Sequence, residues 1–140
     1  MNIVIINSDI LYARSLKLLL EKKMESNSIR ILRDFQLFFQ NISLESDIIL
    51  FEVNLSNIKS LVQLQKYYSL NKTKLVALIN NIDNALLLQA IKIGVSSVII
   101  KSEKIEFIVD ELNLVLRGRG SFPVNLIKKM KDLLVPEEKE

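Results

Sequence analysis

Polar side chains able to do chemistry gather just behind short apolar runs. Asn7, Ser8 and Asp9 follow NIVII, Glu52 and Asn54 close DIILFEVN, Asn80 follows KLVALI, and Lys101 follows an apolar stretch ending at Ile100. The chain of 140 residues contains no histidine and no cysteine. Imidazole metal sites, thiolate zinc sites, disulfides, cysteine nucleophiles and Ser-His triads are therefore excluded. Any chemistry must come from carboxylates, amines, guanidinium groups or hydroxyls. Glu52 and Lys101 are the opposite charges among these positions whose meeting would matter most.

The elements that must position them read as five strand–helix pairs. Asn2–Ile6 is a short β-branched run, the mark of a strand buried on both faces. Residues 10–24 place Leu11, Leu16, Leu19 and Leu20 at helical spacing, and Ser8 or Asp9 can cap them. A second strand is expected over 29–32, followed by a short helix carrying Phe35, Leu37, Phe38 and Phe39 with Asp34 as cap. Strands over 47–53 and 74–79 flank a helix over 57–69 that carries Ile58, Leu61, Val62 and Leu64. After a polar loop with Asn80, Asn81, Asp83 and Asn84, a helix over 85–93 stops at Gly94, a good helix-ending residue. A strand over 98–100 and a helix over 103–116 complete the series.

Short buried strands alternating with amphipathic helices imply a parallel sheet covered on both faces. Right-handed crossovers then give an open, doubly wound α/β sheet. In such sheets the working site lies at the carboxyl ends of the strands. Those ends are residues 6–9, 52–55, 79–81 and 101–102. Beyond Leu116 comes RGRGSF, a basic loop with two glycines, and Pro123 can open an extra C-terminal helix to about Leu134. The expected division is a domain over 1–116 and a linker with a helix over 117–140.

Composition fits one ordinary globular domain, with 49% hydrophobic and 25% charged residues. MNIVIINSD lacks a basic flank before its apolar run, so no signal peptide is expected. The apolar runs fall far short of the roughly 20 residues that a membrane span needs. A cytoplasmic protein with no membrane partner and no cofactor is the expectation. A net charge of +3 is too weak to argue nucleic-acid binding by itself.

IVIINSD, DIILFEVN, KLVALINN and AIKIGVSSVIIKS match, in order and spacing, the pattern of response regulator receiver domains. The chain resembles most the subfamily with a LuxR-type helix-turn-helix output. The resemblance covers residues 1–116, and residues 90–102, with Gly94 and Lys101, are its most specific part. It implies a five-stranded flavodoxin-like sheet in the order 2-1-3-4-5. It also implies a set of functional positions from which this chain departs. Where a working receiver has an acidic pair to hold Mg²⁺, a hard cation that wants oxygen ligands, this chain has Asn7 and Ser8. Asp9 comes one position late and is expected to project elsewhere. Glu52 stands at the phosphoacceptor aspartate. The two switch positions, a hydroxyl and an aromatic residue in working receivers, are Ile79 and Val98. Lys101 alone is retained.

Without a metal cradle, phosphoryl charge has no usual means of neutralisation. The resemblance therefore implies an atypical, phosphorylation-independent receiver with no bound metal, acting in transcription regulation by protein contact or dimerisation, with a second copy or another protein as the expected partner. DNA would be reached only through a domain outside these 140 residues. Glu52, one methylene longer than Asp and within reach of Lys101, can be read as a permanent imitation of the phosphorylated state or as a plain local ion pair. Two other readings stay open: a receiver still phosphorylated at a non-standard site, through Glu52 or Asp9, and an unrelated flavodoxin-like binding protein. NSDILY, with no glycine after the first strand, speaks against the last.

A contact surface is expected on the last helix of the domain. Ile105, Ile108, Val109, Leu112, Val115 and Leu116 form its core stripe. Phe107 and Leu114, seven apart, fall on the opposite side and are expected to be exposed as a dimer or partner face. The tail cations Arg117, Arg119, Lys128, Lys129 and Lys131 suit either phosphate contact or a solvated face.

Overall fold

The computed structural model describes residues 2–24, 28–40, 46–54, 56–68, 73–80 and 83–118. Five strands and five helices alternate along it: β1 (Asn2–Ile6), α1 (Ile10–Lys23), β2 (Ser28–Leu32), α2 (Phe35–Gln40), β3 (Ile48–Val53), α3 (Ile58–Tyr68), β4 (Lys74–Ile79), α4 (Asn84–Lys92), β5 (Ser97–Ile100) and α5 (Ile105–Leu116). The expected extra C-terminal helix and the tail cations beyond Gly118 lie outside the described residues.

The strands form one all-parallel sheet in the order β2-β1-β3-β4-β5, as expected. Ile3 pairs with Ile48, Ile48 with Lys74 and Val76 with Ser97, so the carboxyl ends of β1, β3, β4 and β5 share one edge. Strand alternation divides the core in two. Ile3, Ile5, Ile48, Leu50, Val76, Leu78 and Ile99 pack with Leu16 and Leu20 of α1 and Ile108, Leu112 and Val115 of α5. Val4, Ile6, Ile49, Phe51, Ala77, Ile79 and Val98 pack on the other face with α2, α3 and α4. Each fully buried Leu, Ile or Phe contributes about 1.5–3 kcal/mol from apolar burial.

The helix boundaries follow side chains that satisfy free backbone groups. Asp9 caps α1 by accepting the Tyr12 N–H at 3.1 Å, Asp34 caps α2 by accepting the Leu37 N–H at 2.9 Å, and Asp83 caps α4 by accepting the Leu86 N–H at 3.1 Å. Gly94 takes a φ of +79°, where any side chain would strain the backbone.

The last-helix stripe is core, and Leu114 differs from expectation by being half-buried rather than exposed. The stripe also contains a buried acid that apolar spacing did not reveal. Glu111 accepts a hydrogen bond from the Ser97 hydroxyl at 3.3 Å, and both side chains are buried. Leu11, grouped by helical spacing with Leu16, Leu19 and Leu20, is instead 77% exposed, and Leu18 one heptad later is 63% exposed. The inner face of α1 is formed by Ala13, Leu16 and Leu20.

Candidate functional site

The carboxyl edge of the sheet carries the polar residues singled out by the sequence, but in different partnerships. The Asn7 N–H donates to Leu32 O at 3.0 Å, which carries the β1–β2 pairing one residue further. This buries the Asn7 side chain completely. Its Oδ1 accepts the Asp9 N–H at 2.8 Å and holds the turn into α1. Its Nδ2 is buried without a partner among the described residues.

Glu52 sits one residue before the end of β3, half-buried. Its Oε1 accepts the Ser8 backbone N–H at 2.9 Å. The loop behind it is tied down by asparagines. Asn57 Nδ2 donates to Glu52 O at 2.6 Å, Asn57 Oδ1 accepts the Asn54 N–H at 3.0 Å, and Asn54 Oδ1 accepts the Asn57 N–H at 3.1 Å. The backbone that carries Glu52 is thus fixed by short local bonds, and its side chain reaches back to the β1–α1 turn.

Lys101 follows β5, and its backbone N–H donates to Ile79 O at 2.8 Å. Its Nζ meets Asp9 Oδ2 at 3.4 Å and lies 4.7 Å from the centre of the Tyr12 ring. The expected Glu52–Lys101 pair is therefore not formed. Asp9, expected to project elsewhere, is the acid that Lys101 meets. The reason is local: as the cap of α1, Asp9 has one oxygen held on Tyr12 N–H, which leaves the other facing the lysine. The backbone hydrogen bond from Tyr12, and then Lys101, hold the Asp9 carboxyl below the usual carboxylate range. Burial, with the Asp9 charge beside it, pushes the Tyr12 hydroxyl up to about 12. That hydroxyl is buried without a partner among the described residues.

Ile79 and Val98 are both buried in the half of the core that faces α2, α3 and α4. Both are apolar, and neither offers a hydroxyl at this edge. Among the described residues, no three His, Cys, Asp or Glu side chains gather as metal ligands. Phe107 is 42% exposed on α5. A cleft of about 300 Å³ opens between the ends of β1 and β3 and the β2–α2 turn, with Ser8, Arg33, Glu52 and Ser60 among its walls. Arg33 was not singled out by the sequence, where nothing separates it from other surface cations.

No protein-family model and no curated protein sequence matches the chain. Solved structures do. A LuxR family DNA-binding response regulator from Silicibacter pomeroyi superposes with a TM-score of 0.74 at 21% identity, over 89% of this chain and 98% of that one. The isolated REC domain of RcsB from Salmonella enterica serovar Typhimurium, in the apo form, gives 0.79 at 12% identity over 94% and 98%. RcsB bound to promoter P1flhDC in the presence of phosphomimetic BeF3- gives 0.78 at 14% identity over 95% of this chain and 67% of that one. The likeness is one of fold: this chain has the flavodoxin-like fold of response regulator receiver domains.

Proposed function

We propose that this chain is an atypical receiver domain that acts without phosphorylation, by protein–protein contact or dimerisation, in cytoplasmic transcription regulation. One observation carries the reading. Glu52, at the position of the phosphoacceptor, spends a carboxylate oxygen on the Ser8 amide instead of meeting Lys101. Asn7 and Ser8 supply no carboxylate for Mg²⁺, and the retained Lys101 is engaged by Asp9. Glu52 is thus a structural tie between β3 and the β1–α1 turn. The reading as a stand-in for a phosphorylated aspartate loses its basis, since it required Glu52 beside Lys101. Phe107, with Leu114 behind it, is the proposed contact face on α5, and contact with DNA would come from a separate output domain.

The test is incubation with acetyl phosphate and Mg²⁺ followed by intact-mass spectrometry. No phosphoryl adduct is expected. A stoichiometric adduct would overturn the reading and favour phosphorylation at a non-standard site, with Asp9 the first residue to map.

A further inference from the structure

We infer that the cleft at the carboxyl edge binds a small zwitterion, a molecule with ammonium and carboxylate groups on the scale of an α-amino acid. The position follows from topology. In the order β2-β1-β3-β4-β5, β1 and β3 are the strands from which the chain winds in opposite directions. The crevice beyond the carboxyl ends of such a strand pair is where doubly wound sheets take their ligands. Ile6 and Ser8 bring the β1 end to this cleft, Glu52 the β3 end, and Arg33 and Phe35 the β2–α2 turn.

The ligand class follows from charge. Glu52 Oε1 is held by the Ser8 N–H, while its second oxygen has no partner among the described residues. Arg33 makes no ion pair among the described residues, either with Glu52 or with its neighbour Asp34. Opposite charges therefore line one cleft without neutralising each other. A simple anion would meet Glu52 and Asp34, and a simple cation would meet Arg33. A zwitterion satisfies both sides: its carboxylate suits the guanidinium fork of Arg33 and its ammonium the free oxygen of Glu52. The Ser8 and Ser60 hydroxyls add neutral donors and acceptors, and Ile6 and Phe35 give apolar wall. A volume of about 300 Å³ is at the small end of ligand sites, which fits a ligand of few heavy atoms. The inference does not depend on phosphorylation independence or on the α5 contact.

The test is an amide chemical-shift titration of the isotope-labelled full chain with the common α-amino acids one at a time. At least one should give saturable shifts centred on Ser8, Arg33 and Ser60. Arg33→Met and Glu52→Gln should each weaken that binding by about tenfold or more. Glu52→Gln keeps an acceptor for the Ser8 N–H, and Arg33 is exposed, so both variants should retain the wild-type spectrum elsewhere. The inference is overturned if no amino acid gives saturable shifts up to about 10 mM. It is equally overturned if shifts centre elsewhere, or if the N-acetyl amide of the bound amino acid binds as well as the zwitterion.

Discussion

Glu52 Oε1 and the Ser8 amide are 2.9 Å apart, a bond across forty-four positions of sequence that joins the β3 end to the β1–α1 turn. An aspartate at the same place would be one methylene shorter. Glu52→Gln, which keeps a carbonyl acceptor, should leave stability nearly unchanged. Glu52→Ala removes the acceptor and should cost about 0.5–1.5 kcal/mol. Urea unfolding of both variants checks the difference, and equal losses would show that charge rather than the hydrogen bond matters.

Asp9 gives an acid-limited contribution. Its folded pKa lies below the ordinary 3.8, so the folded state releases its proton more readily than the unfolded chain. The resulting stability is present above the unfolded value and is lost as pH falls through the folded one. Asp9→Asn keeps a capping oxygen but has no charge for Lys101. The advantage of wild type over this variant should therefore be full at neutral pH and shrink in the acid range. A difference that stays constant on acidification would contradict the charge argument.

Tyr12 works at the alkaline end. Its pKa is raised from 10.0 to about 12, so the stability it contributes is present below 10 and lost as pH rises toward about 12. Ultraviolet titration should show one late-ionising tyrosine that disappears in Tyr12→Phe. Since the hydroxyl has no partner among the described residues, that variant should lie within about 1 kcal/mol of wild type or be more stable.

Lys101→Met should destabilise the fold only slightly, because the Asp9 contact is partly exposed and open to solvent screening. Association should not change, since the lysine serves the α1 start and not the α5 surface. Altered sedimentation at nearly constant stability would restore a signalling role for this edge.

Phe107→Asp should weaken self-association or partner binding by about tenfold or more, with the fold intact, because it places a charge on the α5 face away from the core. Sedimentation of wild type and variant at high micromolar concentration checks this. A monomer in both would remove self-association.

The fold was legible because its signals are repeated and local: NIVII, DIILFEV and KLVALI are short, rich in β-branched residues and too brief for helices, which marks them as buried strands, and Asp34, Asp83 and Gly94 mark helix ends. The site was legible as a set of positions but not as a set of contacts. Asn7, Ser8, Asp9, Glu52 and Lys101 do share one edge. Which acid meets Lys101 depends on the two oxygens of Asp9, one fixed by a cap and the other left facing the lysine, and spacing does not encode that choice. Glu111 was missed because a stripe drawn from apolar residues passes over an acid paired inside it with Ser97. Leu11 was misplaced because two leucine registers compete on α1, and only packing selects Ala13, Leu16 and Leu20.

Among the described residues, β2 and β5 each have a single neighbour and form the margins of the sheet. An open side is a template for another strand. Here β5 has only four residues, and β2 turns Ser28 and the charged Arg30 outward. Neither margin offers a long, flat, apolar ribbon, so growth of the sheet by strand addition is disfavoured and fibre-like stacking with it. The helix faces, by contrast, present side chains alone, so a substitution there, such as Phe107→Asp, can alter the surface without touching the ladder of backbone hydrogen bonds.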